Sequence, residues 1–402
     1  MNVPVAPPAS QRSILHVLAP ARAGGLERVV RALAVGQAAR GHTVTVAAVL
    51  ERGQRRSADA AAEAYEHPFV SGFAGTCVLV VPVIVGRRGY LGERAAIRRL
   101  AAQHSAGIVH THGRRPDVVD SGIARERKVP AITTVHGFTG AGLRSFVNAA
   151  IQRRAFRHFD GIVAVSDTVA DALMRFGVPP ARVHVIQNAY DEVAPPLSRA
   201  EARARLRAEA NEFIIGWVGR LSREKGMDVL LAALAHVRDR PVTVAVIGSG
   251  GERAALEADA VRLGVTGAVR WMGQVNDAPR LYRGFDLFVL SSRTEGTPIA
   301  LFEAMDAEIP VVATAVGGVP AVVSSAEACL VPPEDPLALA QAIRDAYDDP
   351  APGRVRAVTA KQRLRTQYAV GPWLDRYDRL YTDVSAPHAS EGMDRNAGRG
   401  AA

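Results

Sequence analysis

Apolar residues along this chain gather in short, nearly unbroken runs, separated by longer stretches in which they recur every three or four positions. The runs are Ser13–Ala19, Thr43–Leu50, Cys77–Val85, Gly107–His110, Ala131–Val135, Asp160–Val165, Phe213–Gly219, Val242–Ile247, Val269–Met272, Asp286–Leu290 and Ile309–Ala313. Each is too short for a helix and lacks the alternation of a half-solvated strand, so each reads as a strand buried on both faces of a parallel sheet. Helical period marks Leu26 to about Arg40, Gly92–Gln103, Glu201–Ala210, Met227–Val237, Pro336–Tyr347 and about Arg354 to Thr382. Strand alternating with helix predicts an α/β protein built from doubly wound sheets. Asp191–Ser198, with Pro195 and Pro196, reads as a linker that divides the chain into residues 1–195 and 196–364. Residues 51–76 show no clear period beyond one short helix, and residues 385–402, small and polar, read as a disordered tail.

Chemistry-bearing residues sit where these strands end. Asp286–Leu290 runs into SSRTEGTPIALFEA, residues 291–304. Pro298 suits the first turn of a helix, because its missing N–H costs nothing there. The N–H groups around Thr297, Ile299 and Ala300, with the helix dipole, then offer a seat for a phosphate. Glu295 precedes that seat and Glu303 stands eight residues on. Two carboxylates beside a phosphate repel it unless they bind hydroxyls, and a nucleotide-sugar carries hydroxyls on sugar and ribose alike. The alternative is a solvated Glu303 and a capping Glu295. After Phe213–Gly219, Arg220 and Lys225 flank a loop and could clamp a diphosphate, or simply face solvent.

Glycine turns follow three of the strands, at Gly24-Gly25, Gly248-Ser-Gly-Gly251 and Gly317-Gly318. Glycine there lets a backbone approach a phosphate closely. The first of them does not follow G-x-G-x-x-G, and no acidic residue ends the second strand before Glu51, which argues against a nicotinamide cofactor. His136, at the end of Ala131–Val135, lies where open α/β sheets bind ligands; a strand-end histidine bonded to backbone is the alternative. His110 and His112 have the spacing of a metal pair, but no acidic or cysteine partner stands at ligand spacing, so packing or hydrogen bonding is favoured.

The chain has 402 residues, 48% hydrophobic and 22% charged, a composition typical of soluble globular proteins and long enough for two domains. Its net charge of +9 is one-sided: residues 1–195 carry 24 Lys and Arg against 14 Asp and Glu, residues 196–364 carry 20 against 21, and the remainder 5 against 5. Such a basic half suits a lipid-phosphate acceptor or an anionic membrane surface, or plain solvation. Nucleic acid is not expected, since no stacking pattern accompanies the charge. Leu143–Phe159, amphipathic and basic, would rest on anionic headgroups or face solvent. The longest apolar run, Cys77–Val85, falls far short of the roughly 20 residues of a membrane span, and no leader pattern opens the chain. The expectation is a cytoplasmic protein, peripheral to the inner face of the membrane if membrane-associated at all. Cys77 and Cys329, both in apolar runs, read as reduced core residues.

Glu295 and Glu303 with seven residues between them, preceded by Gly219-Arg220-Leu221 and Lys225-Gly226, resemble the motifs of the family-4 retaining glycosyltransferases. The resemblance covers about residues 13–383. It implies the GT-B fold: two Rossmann-like domains facing across a cleft, with a C-terminal helix, residues 365–384, crossing back to the first. It further implies transfer of a hexosyl group from a nucleoside-diphosphate-sugar to a glycan, lipid-linked or small-molecule hydroxyl, as in polysaccharide biosynthesis. Retention of configuration is implied, with no cofactor and no essential metal. Matched residue by residue, Gly25, Arg220 and Lys225 would bind the donor diphosphate, and Gly296, Thr297, Pro298 and Ile299 would line it. Glu303 would hold the ribose and Glu295 the donor sugar, with His136 also on the sugar. The base would lie along Gly273-Gln274-Val275, mostly against backbone. Three positions depart from the family: Ala189 and Glu308 replace glycines, and Ala321 replaces a glutamate. A nucleotide-sugar epimerase or hydrolase of the same fold would consume donor without acceptor. A catalytically silent nucleotide-sugar-binding protein would show no turnover at all.

Overall fold

The computed structural model describes residues 11–21, 24–51, 59–86, 88–137, 151–191, 195–209, 211–275 and 277–386. Seven strands form the first sheet: β1 Ser13–Leu18, β2 Thr43–Glu51, β3 Leu79–Val85, β4 Ile108–His112, β5 Ala131–Val135, β6 Gly161–Ala164 and β7 Val183–Val185. Six form the second: β8 Phe213–Val218, β9 Val242–Ile247, β10 Val269–Gly273, β11 Leu287–Leu290, β12 Val311–Thr314 and β13 Cys329–Val331. The orders are β3-β2-β1-β4-β5-β6-β7 and β10-β9-β8-β11-β12-β13, and every pairing is parallel. Both sheets therefore reverse their winding between a central pair, β1 with β4 and β8 with β11, and open a crevice at the strands' carboxyl ends. This is the expected pair of Rossmann-like sheets.

The C-terminal segment departs from the single helix expected over about 354–382. It is two helices, Ala351–Gln367 and Val370–Ser385. Tyr368, at the break, packs in the second domain's core and donates its hydroxyl to the Ala321 carbonyl at 3.0 Å. Trp373, Leu374, Tyr377, Leu380 and Tyr381 instead bury themselves against Ile14, Val29, Leu33 and Ile108 of the first domain. The helix thus crosses between domains, beginning at Val370.

Other differences are local. β4 runs on to His112, two residues beyond its apolar run, because hydrogen-bonded polar side chains can be buried there. The stretch read as aperiodic contains helices Asp59–Tyr65 and Pro68–Ser71. Cys77 is exposed rather than core: β3 begins only at Leu79, leaving Cys77 on the preceding loop, while Cys329 is half-buried. Of the predicted helix Leu143–Phe159, residues 143–150 lie outside the described residues, 151–155 are helical, and Phe156–His158 close as a 3₁₀ turn. The predicted tail lies, from residue 387, outside the described residues. Among the described residues no helix is long and apolar enough to cross a membrane.

Two of the three family departures have a structural reading. Ala189 takes an ordinary negative φ and is buried, so its turn needs no glycine. Glu308 does occupy a glycine position. It sits past the end of helix Ile299–Asp306 with φ 61°, its N–H on the Met305 carbonyl and the Ile309 N–H on the Ala304 carbonyl, a Schellman closure. Its exposed ion pair with Lys361 returns little. Glu308→Gly is accordingly expected to stabilise the protein by about 0.5–1 kcal/mol in chemical denaturation, the left-handed strain outweighing glycine's extra unfolded-state entropy. A lower midpoint would contradict this.

Candidate active site

Two loops at the carboxyl ends of β8 and β11 are locked together. Ser291 donates its hydroxyl to the Gly226 carbonyl at 2.8 Å and accepts the Trp217 indole N–H at 3.2 Å. Gly226 has φ 61°, and a Cβ there would stand 2.0 Å from the Ser291 carbonyl oxygen. Arg293 completes the joint: its amide donates to the Glu224 carbonyl at 2.8 Å, and its guanidinium to the Arg223 carbonyl and both Asp228 oxygens at 2.7 Å. The Asp228 bonds first, and then those to Glu334, raise its pKa further. From the other side, the Gly318 amide donates to the Glu295 carbonyl at 3.0 Å, and Gly317, φ 52°, leaves no room for a Cβ above the same oxygen. The sequence showed Gly317-Gly318 only as a turn, and nothing singled out Arg293.

Of the four charged residues expected at the site, Lys225 and Glu295 are paired with each other, while Glu303 and Arg220 have other neighbours. Lys225 donates to both oxygens of Glu295, at 2.7 and 2.9 Å, and the Ser292 hydroxyl donates to Glu295 Oε1 at 2.6 Å. Glu303 is ion-paired with Arg28, which comes from helix Gly25–Ala39 of the first domain. Glu295 is 9% exposed and Glu303 6%, so neither is the solvated residue or simple cap that was the alternative. A buried carboxylate without its cation would cost several kcal/mol, so each glutamate depends on its partner for burial. Arg220, exposed, makes no ion pair among the described residues. It faces Glu27, whose carboxyl is pushed up by burial and drawn back by the Ala21 N–H and by Arg220.

Arg28 was missing from the sequence reading. Its signal was positional: a cation in the first turn of a helix opposes the helix dipole and needs a compensating partner. Gly24 and Gly25 have separate reasons for being small. A Cβ at Gly24 would collide with the Glu27 carboxylate at 2.4 Å, whereas one at Gly25 would meet Ile299 of the other domain at 3.2 Å. Helices Gly25–Ala39 and Ile299–Asp306 therefore bring their N-termini together, neither closed by a side-chain cap. Pro298 is the residue before the helix rather than its first member.

The loop between Glu295 and Ile299 is held by the first domain. Thr297 donates its hydroxyl to the Val165 carbonyl at 2.7 Å, and a Cβ on Gly296 would lie 2.5 Å from the His136 carbonyl oxygen. Gly296→Ala should force the two domains apart here. We expect a drop in turnover of about 100-fold, the scale of a 1 Å misplacement, with thermal stability little changed. Full activity in that variant would show the contact to be dispensable.

His136 ends β5 half-buried. Burial lowers its pKa to about 4, and its Nε2 has no partner among the described residues. His16, His110 and His112 bring ring nitrogens within 4.8 Å of one another, close enough for a three-histidine metal centre. Hydrogen bonds already occupy five of their six nitrogens, however, so a metal held by all three would have to displace at least one bond at His16 and one at His110.

Comparison with known proteins agrees with this architecture. Residues 23–193 match the Glycosyltransferase Family 4 model and residues 212–349 the Glycosyl transferases group 1 model. A D-inositol 3-phosphate glycosyltransferase of Catenulispora acidiphila is 31% identical over 324 residues, 72% of this chain and 76% of that protein. A glycogen synthase of Mycobacterium tuberculosis is 29% identical over 378 residues, 86% of this chain and 87% of that protein. Among solved structures, HepE of Anabaena in complex with UDP and glucose superposes with a TM-score of 0.79 at 21% identity, covering 92% of this chain and 100% of HepE. The chain belongs to glycosyltransferase family 4 and has the GT-B fold.

Proposed function

We propose that this glycosyltransferase moves a sugar from a nucleoside-diphosphate-sugar to an acceptor hydroxyl with retention at the anomeric carbon. The observation that carries the reading is the pair of ion pairs, Lys225 with Glu295 and Arg28 with Glu303, beside two uncapped helix N-termini that approach each other at Gly25 and Ile299. Arg220, Lys225 and the amides near Gly25 and Thr297 neutralise the diphosphate as its bond to the anomeric carbon breaks. Pairing with Lys225 keeps Glu295 fixed to orient the donor sugar, and Glu303 accepts the ribose hydroxyls. Fixed side-chain cations supply the charge, so no metal is required for departure. The acceptor oxygen bonds to the anomeric carbon on the leaving-group face, and the departing phosphate oxygen takes its proton. HepE has also been solved with UDP-glucose, which supports a nucleotide-sugar of this kind as donor. The two relatives are named for dissimilar reactions, and the acceptor is accordingly assigned only as a glycan, lipid-linked or small-molecule hydroxyl. The basic first half suits an anionic acceptor or membrane face in the cytoplasm, where polysaccharide precursors are built.

A thermal-shift panel of nucleotide-sugars tests the reading. At 100 times its Kd the right donor should stabilise by about 2.7 kcal/mol, and Glu303→Gln should abolish that gain. No stabilisation by any member would contradict it. Consumption of donor at an unchanged rate with and without every acceptor would favour a hydrolase or epimerase.

A further inference from the structure

Beneath the switch point of the first sheet, a continuous hydrogen-bonded chain links the last helix to the cleft. His16 and His110 are register partners on β1 and β4, and His112 lies two residues beyond on the same face. Gln37 donates its amide N–H to the Tyr381 hydroxyl at 2.9 Å, and Tyr381 meets His110 Nδ1 at 2.8 Å. His110 Nε2 reaches the Thr134 hydroxyl at 2.8 Å. In the other direction Gln37 Oε1 faces His16 Nε2 at 2.8 Å, and His16 Nδ1 faces His112 Nε2 at 2.9 Å.

The chain has a polarity. Burial keeps the three rings neutral, so each carries one N–H. The Gln37 oxygen can only accept, which puts the His16 proton on Nε2 and leaves His16 Nδ1 an acceptor. His112 must then donate from Nε2, and its Nδ1 is a bare lone pair. That atom is buried without a partner among the described residues, and so is Nε2 of His136, whose ring centroid lies 6.0 Å away. These two unpartnered atoms belong to neighbouring rings at the carboxyl ends of adjacent strands, beside the Gly296 contact. One hydroxyl can serve both: its O–H donates to His112 Nδ1, and its oxygen accepts from His136 when that ring carries its proton on Nε2.

We propose that His112 joins His136 in seating one hydroxyl of the transferred sugar, with Gln37 and Tyr381 as positioning residues that fix the polarity of His112. The inference rests on the glycosyl-transfer reading above. It makes the helix that crosses from the second domain part of the seat's definition, through Tyr381. An ordered water is the other source of the same hydroxyl chemistry, and the test separates the two.

Donor hydrolysis and transfer are measured with UDP-glucose and each of its monodeoxy-glucose analogues, with UDP binding followed by thermal shift as a check of folding. Wild type should turn over one deoxy analogue at least about 10-fold less well in kcat/KM than UDP-glucose. His112→Leu should erase that preference for the same analogue while binding UDP as before, and His112→Gln, which restores an acceptor, should recover part of it. Tyr381→Phe and Gln37→Leu should reduce the preference without changing the ranking of the other analogues, which a merely structural role would not do. Full discrimination in His112→Leu, or equal use of every analogue by wild type, would overturn the proposal and leave a water in the seat. No turnover by wild type of any donor in the nucleotide-sugar panel would overturn it together with the functional reading.

Discussion

Arg220→Ala should lower transfer by about two to three orders of magnitude, the usual cost of removing one preorganised charge from a developing anion. Its melting temperature should stay within a degree or two of wild type, because Arg220 is exposed and makes no ion pair among the described residues. Lys225→Ala should lose activity to a similar extent but also lose stability. It strands Glu295, 9% exposed, with the Ser292 hydroxyl as its remaining hydrogen-bond partner among the described residues. Breaking such a pair costs up to about 3–5 kcal/mol when fully buried, and less here because Lys225 keeps part of its surface in water. Glu295→Gln in the Lys225→Ala background should restore the fold and not the activity. Near-normal turnover in both single variants would remove the diphosphate assignment.

Acid should unfold the protein at unusually mild pH. Burial lowers His16 and His136 to about 4, and depresses His110 and His112 well below the ordinary histidine value. Each returns to about 6.5 when unfolded. Between those limits the unfolded chain holds protons that the native state refuses, so stability is complete above pH 6.5 and is lost as pH falls toward 4. Two buried carboxyls act in the opposite sense. Burial raises Asp117 to about 6 and Asp120 to about 8, so each binds its proton in the native state first and adds stability on acidification. Among these six groups, four protons against two leave a loss of roughly 3 kcal/mol per pH unit between pH 6 and 4. That is a large share of a total stability of about 5–15 kcal/mol. Melting temperatures recorded from pH 8 to 4.5 should fall steeply below 6, with a shallower slope in His16→Gln. A flat profile would mean that the buried rings are not held neutral.

The second domain's motifs were legible because parallel sheets bury their strands as continuous apolar runs and deliver the residues that follow to one edge. Arg220, Lys225 and Glu295 could be placed after strand ends from that rule, and the resemblance to the family supplied their roles and that of Glu303. Their partners could not. Glu303 meets Arg28 only because the two lobes face each other, and no local pattern couples residues so far apart in the chain. The histidine chain depends on the register of β1 against β4, which continuous apolar runs leave unspecified. The break at Tyr368 is invisible for a different reason: helix-forming composition continues through it, and only the choice of core on either side interrupts the helix. Glu308 hides a helix stop because the expected glycine is absent while its backbone conformation is kept.

The most direct measurement is a crystal structure of the protein with a nucleoside diphosphate bound. The diphosphate should lie against the Arg220 and Lys225 side chains near the Gly25 and Ile299 helix ends, with the ribose hydroxyls on Glu303 in place of part of the Arg28 contact. Nucleotide bound elsewhere, with the pairs of Glu295 and Glu303 untouched, would contradict the account.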